Sequence, residues 1–179
     1  MRVFVICTGR CGSVTFSKAC CHAKNFKSLH EPFAGQLASA RETLQDRSIY
    51  IDNRLCWMTG SLRRWLRDDD LVVWLRRRTK DVAASMNRRW RPSGSLPRTY
   101  ADGILMGAKH GPKAATDLVT TQEDNIRFFL LDVPESQQLV FDLEKASKHW
   151  PRFWKRIAAT GKMQDGLKEF SIRHKARQP

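Results

Sequence analysis

Nothing in this 179-residue chain approaches the roughly 20 consecutive apolar residues that a membrane-spanning helix requires, which excludes a helical integral membrane protein. Acidic residues are scarce. Eighteen Asp plus Glu stand against 32 Lys plus Arg, a formal charge of +14. No internal repeat or low-complexity tract occurs. With 10 Gly, 7 Pro and 41% apolar residues, disordered and collagenous chains are excluded. The length suits one domain, residues 1–179, with a core of its own. The opening MRVFVICTGRCG lacks the long apolar stretch of a secretory signal and runs into glycines, so it reads as a first strand. The cysteines (Cys7, Cys11, Cys20, Cys21 and Cys56) are odd in number, and two are adjacent. That is a poor disulfide framework, and no second pair stands at zinc-ligand spacing. A reducing, cytoplasmic setting is expected, with Cys7, Cys20 and Cys21 as small buried hydrophobes. What is abundant is positive charge. It calls for an anionic partner, with nucleic acid, nucleotide, sulfated glycan and acidic lipid all open.

Short β-branched runs alternate with helical patterns, the signature of an α/β fold with a parallel sheet. Strands are expected at residues 2–7 (RVFVIC), 26–30, 48–52 (SIYID), 71–76 (LVVWLR) and 138–141 (QLVF). Phe16, Ala19, Cys20 and Ala23 recur on one face of a helix over residues 13–24. Further helices are expected at 34–45, 56–67 and 79–90, the last with a Val82, Met86 and Trp90 core stripe. Residues 91–98 (RPSGSLPR) read as a loop. The last third is mostly helical. Thr120 and Glu123 form a capping box for a helix to Leu131, Pro151 opens a helix ending near Gly161, and a basic helix covers 164–174. The expected architecture is three-layered, with about five parallel strands between helices and a helical C-terminal third.

The segment CTGRCGSVTF, residues 7–16, joins the first strand to the first helix. There free backbone N–H groups and the positive helix end can meet a phosphate. Gly9 and Gly12 let the backbone curl around an anion, Arg10 adds a charged fork, and Ser13 and Thr15 add hydroxyls. The Walker pattern G-x-x-x-x-G-K-(S/T) is missing, because no Lys precedes Ser13. Lys18, a turn further on, suits a solvated helix face. A plain tight turn is the other reading of the segment. A second segment, VVWLRRRTKDVAASMNRRW, puts Arg77 at a strand end and Ser85 eight residues later on the next helix. Asp81 falls in the first helical turn. Beside the first loop across a parallel sheet, Arg77 and Ser85 can clamp a second phosphate of the same ligand. Arg76 and Arg78 either share that role or face solvent.

Together the segments resemble the PAPS-dependent sulfotransferases, a family with a P-loop NTPase-like fold. Its turn (K/R)-x-G-(S/T)-T appears here as Arg10-Cys11-Gly12-Ser13-Val14, and its R-x3-D-x3-S motif as Arg77, Asp81 and Ser85 at full spacing. His30-Glu31-Pro32 and Asp52-Asn53 are similar to lesser elements of the family. The resemblance covers about the first 90 residues. It departs at Val14, where a hydroxyl is usual, and in the lack of a clear C-terminal Arg-Lys-Gly element, for which Arg173 or Lys175 are the substitutes. The chain is also shorter than usual members.

The resemblance implies in-line transfer of a sulfuryl group from 3′-phosphoadenosine 5′-phosphosulfate (PAPS) to an acceptor hydroxyl or amine, leaving 3′,5′-adenosine bisphosphate and needing no metal. The acceptor is a small molecule or a glycan, with an anionic one suited to the remaining charge. Gly9, Arg10, Cys11, Gly12, Ser13, Val14 and Thr15 would hold the 5′ end, and Arg77 and Ser85 the 3′-phosphate. Arg10 would also stabilise the leaving charge. Glu31 is the first candidate general base and His30 the second. Two other classes remain. A P-loop nucleotide kinase would use Asp52 beside magnesium. A nucleic-acid binder would use the basic stretch 63–98 with Trp65, Trp74 and Trp90, although Trp74 and Trp90 read as core.

Overall fold

The computed structural model describes residues 1–37, 43–90, 94–106 and 111–172. Its centre is β1 (Val3–Ile6), four residues with no exposed surface. Such a strand must be covered on both faces, as an interior parallel strand is. Hydrogen-bonded order across the sheet is β2 (Lys27–His30), β3 (Ser48–Asp52), β1, β4 (Leu71–Arg76), β5 (Gln138–Asp142), and every pairing is parallel. Ile6 lies opposite both Asp52 and Trp74, so β3 and β1 end together and β4 runs two residues further, to Arg76. The loops that follow these three strands therefore open side by side at one edge, where α/β sheets bind ligands.

Alternation along β1 divides the core. Val3 and Val5 pack with Phe16, Phe141, Trp150 and Phe153, from the layer of α1 (Ser13–Cys20) and α6 (Ala146–Arg156). Phe4 and Ile6 face the other layer, with Leu62 of α2 (Thr59–Trp65) and Ile126 of α5 (Gly111–Leu131). Phe16 anchors α1 through edge contacts with Phe141 at 4.9 Å and a tilted one with Phe153 at 5.1 Å. At the opposite end of the strands, Arg2 Nε donates to buried Asp70 Oδ2 at 3.0 Å, and the Arg2 amide donates to Oδ1 at 2.7 Å. Leaving either charge alone there would cost about 3–5 kcal/mol, so the pair locks the start of β1 to the turn before β4.

Strands match the sequence-based expectation closely; the helices differ. The first helix stops at Cys20, because Ala23 bridges to Gly161 and the Lys24 amide donates to Thr160 O. Residues 34–37 and 43–45 of the expected 34–45 helix are turn and irregular chain, and residues 38–42 lie outside the described residues. The helix expected over 56–67 is split into a 3-10 turn, Asn53–Cys56, and α2, since Asp52 Oδ1 accepts from the Arg54 amide and starts the first turn early. α3 (Thr79–Asn87) ends before Trp90, which is half-buried and not part of the stripe. Within the expected 91–98 loop, α4 (Leu96–Thr99) is a helical turn, and residues 91–93 lie outside the described residues. The expected capping box is absent. α5 runs unbroken through Thr120, and Glu123 instead accepts from Thr79 Oγ1 at 2.9 Å. Pro151 lies inside α6 and not at its start. α7 (Met163–Lys168) gives way to a 3-10 turn at Glu169–Ser171, and residues 173–174 of the expected terminal helix lie outside the described residues. Cys21 is exposed, contrary to expectation, whereas Cys7 and Cys20 are buried.

Candidate functional site

The loop between β1 and α1 turns through three left-handed residues, Gly9 (φ 75°), Arg10 (φ 54°) and Gly12 (φ 93°). Such backbone turns successive N–H groups toward one point, and those of Gly9, Cys11 and Ser13 face the Cys11 sulfur. Gly12 caps α1 with no side-chain cap hydrogen bond. Both glycines are also needed sterically. A Cβ on Gly9 would lie 2.7 Å from Asn53 Nδ2, and one on Gly12 would lie 2.7 Å from Leu143 Cδ2.

Beneath this turn lie sulfurs. Cys7 and Cys11 have no exposed surface, backbone or side chain. The Cys7 thiol donates toward Cys11 and is buried, which pushes its pKa well up. Cys11 is held down, first by that donor and then by the amides of Cys11, Ser13 and Gly9, against burial. On the other side, burial pushes Cys56 up to about 12. Gln122 of α5 reaches the loop: with its amide nitrogen 3.0 Å from Thr8 O, its oxygen accepts from Trp57 Nε1 at 3.2 Å.

Across the sheet the β4–α3 junction carries three arginines in a row. Arg76 Nε donates to Asp142 at 2.7 Å, and its guanidinium lies over the Trp74 ring. Arg78 Nε donates to Asp81 Oδ2 at 2.7 Å, and its amide to Glu144 at 3.1 Å. Arg77 makes no ion pair among the described residues. It is half-buried and borders a cavity of about 410 Å³ at the ends of β4 and β5. A larger cavity, about 580 Å³ against α5, is lined by none of the motif residues.

The two motifs meet. Arg10 Nε donates to Ser85 Oγ at 3.2 Å, across 75 positions of sequence, and Ser85 is buried. Burial lowers the Arg10 pKa from the usual arginine range, and the charges of Arg89, Arg77 and Arg88 lower it further. A half-buried cation facing three like charges is a site that an anion would relieve. His30, at the end of β2, joins the same loop: its Nε2 lies 3.2 Å from Ser13 Oγ. Glu31 follows in left-handed conformation (φ 53°), exposed, its amide donating to Ile51 O at 2.8 Å. Lys18 is exposed on α1, and Arg173 and Lys175 lie outside the described residues.

Asp52 does not face the site. It has no exposed surface, and its oxygens accept from the Phe33 amide at 2.9 Å, the Arg54 amide at 2.9 Å and Arg54 Nη1 at 3.0 Å. Sequence reasoning missed Arg88 and Arg89, whose spacing of three and four from Ser85 was the available signal. It also missed Leu143, whose approach to Gly12 had none.

No family model matches the chain, and no curated protein matches it in sequence. Solved structures do match. The sulfotransferase domain from the curacin biosynthetic pathway aligns with a TM-score of 0.69 at 12% identity, covering 96% of this chain and 78% of that one. Mouse sulfotransferase SULT7A1, solved complexed with PAP, aligns with a TM-score of 0.51 at 12% identity, covering 95% of this chain and 63% of that one. The chain therefore has the sulfotransferase fold, a P-loop-like α/β architecture with a five-stranded parallel sheet.

Proposed function

We propose that this chain is a sulfotransferase that uses PAPS as donor and transfers its sulfuryl group to a hydroxyl or amine. The Arg10–Ser85 hydrogen bond carries this reading, because it fuses a backbone cradle and an arginine–serine clamp into one anion site with two ends. The residues fit the donor. Gly9 and Gly12 hold the left-handed turn at positions where a Cβ would strike Asn53 or Leu143, and Arg10 and Arg77 have no carboxylate partner among the described residues. When bound, PAPS supplies an activated sulfuryl group on a phosphate leaving group. The chain supplies position and charge. Residues 9–15 hold the 5′ end, Arg77 and Ser85 hold the 3′-phosphate, and Arg10 faces the oxygen on which charge develops. Arg10 thereby serves the chemistry as well as binding.

The base belongs near that loop. His30 takes precedence over Glu31, because its imidazole already touches Ser13 whereas Glu31 is exposed. The free cysteines suit a cytoplasmic setting. Among the described residues no helix is long and apolar enough to cross a membrane. A nucleotide kinase is disfavoured because the Asp52 carboxylate is already engaged by three donors.

Thermal shift tests the reading with 3′,5′-adenosine bisphosphate (PAP) without magnesium, ATP with magnesium, and a short oligonucleotide. Metal-free PAP is expected to raise the melting temperature of the wild type and not of Ser85→Ala. Stabilisation by ATP–magnesium alone would overturn the donor assignment. In a transfer assay, His30→Gln should abolish turnover and keep PAP affinity. Full activity of that variant would return the base to Glu31.

A further inference from the structure

The buried stripe of α5 is interrupted by one polar side chain. Leu118, Gln122 and Ile126 follow one another at four-residue spacing, on one helix face, and none has exposed surface. An amide at that depth is costly unless both of its ends are bonded. Both are. The Gln122 nitrogen donates to Thr8 O at 3.0 Å, and its oxygen accepts from Trp57 Nε1 at 3.2 Å. An indole N–H can only donate, so Trp57 decides which end of the amide faces the loop.

The bond to Thr8 bears on the loop's shape. β1 ends at Ile6, and Thr8 is the last residue before the left-handed turn begins at Gly9. The Thr8 carbonyl and the Gly9 amide belong to one planar trans peptide unit and point in opposite directions. Holding the carbonyl against α5 therefore sends the Gly9 N–H to the other side. There it joins the amides of Cys11 and Ser13 around the Cys11 sulfur. A glycine adopts either sign of φ at similar cost, so Gly9, at φ 75°, does not fix that unit by itself.

We propose that Gln122 is a positioning residue for the 5′ end of the donor: its amide fixes the Thr8–Gly9 peptide and with it the curvature of the loop that receives the 5′-phosphate. This rests on the sulfotransferase reading of the same loop. With no exposed surface, Gln122 touches no ligand and acts through the main chain. Its effect belongs to one end of the nucleotide, because Arg77 and Ser85, at the β4–α3 junction, serve the other. A role in core packing alone makes a different prediction, since lost packing would weaken both ends alike.

Isothermal titration with adenosine 5′-phosphate and adenosine 3′-phosphate, on the wild type and on Gln122→Met, is the test. Methionine keeps the length and volume of the side chain and removes its N–H. The variant should lose about tenfold in affinity for adenosine 5′-phosphate, the worth of one hydrogen bond. Its affinity for adenosine 3′-phosphate should stay within about twofold, which also reports that it is folded. Should Gln122→Met fail to fold, Gln122→Asn, which keeps the amide but withdraws it by one methylene, should give the same one-ended loss. Unchanged affinity for adenosine 5′-phosphate would overturn the proposal, as would equal weakening of both ligands, which would leave Gln122 a packing role only. If the wild type binds neither ligand, the donor reading itself falls, a result distinct from each of these.

Discussion

The junctions after β1 and β4 open at the same edge of one sheet and meet through the Arg10–Ser85 hydrogen bond at the proposed anion site, yet one is made of backbone and the other of side chains. After β1 the chain winds through left-handed residues over buried sulfurs, with each glycine hard against a neighbour. After β4 the backbone is ordinary. Selectivity there comes from neutralisation: of three consecutive arginines, Asp142 takes Arg76, Asp81 and Glu144 take Arg78, and Arg77 alone is left unpaired among the described residues. A backbone cradle cannot be altered without disturbing packing, whereas a side-chain clamp can be altered almost freely. The first junction should therefore couple binding to stability, and the second should separate them.

Gly12→Ala should break the comparison most strongly. Left-handed strain at φ 93° adds to a clash with Leu143, and together they should cost about 3 kcal/mol, measured by denaturant unfolding. PAP binding should fall with it. Arg77→Ala should leave stability within about 0.5 kcal/mol, because it breaks no ion pair among the described residues. A loss comparable to that of Gly12→Ala would erase the distinction between the junctions.

The smallest effect concerns pH and the β4 side. His149 Nδ1 accepts from the Asp142 amide at 2.9 Å, and Asp142 in turn holds Arg76. Burial lowers the His149 pKa, opposed by the Asp142 charge and aided by Arg152, Lys145 and Lys148. The unfolded chain thus binds this proton more readily than the folded one. The contribution is fully present above pH 6.5, the ordinary histidine value, and is lost as pH falls below it. His149→Gln should flatten the fall in melting temperature between neutral and mildly acidic pH. An unchanged slope would remove His149 from that role.

The strands were legible because a buried parallel strand is a short β-branched run, and residues 48–52 and 71–76 coincide with their observed bounds. Helix ends were not, because tertiary contacts set them. Asp52 starts a 3-10 turn at Asn53 that no helical periodicity signals, and Glu123, placed for a cap, instead serves Thr79. The site divides the same way. The glycines of the first loop and the Arg77–Ser85 spacing stand in the chain itself. Their meeting through Arg10 requires β1 to lie beside β4, a fact of sheet order. His30 against Ser13 likewise depends on where β2 ends relative to α1.

The central claim is that the two junctions grip the two ends of one nucleotide. Calorimetric titration with PAP and with adenosine 5′-phosphate, which lacks the 3′-phosphate, tests it most directly. The wild type should prefer PAP by about tenfold or more, the worth of a charge-assisted phosphate contact, and Arg77→Ala should abolish that preference while leaving the affinity for adenosine 5′-phosphate unchanged. Equal weakening of both ligands by Arg77→Ala, or no preference for PAP in the wild type, would contradict it.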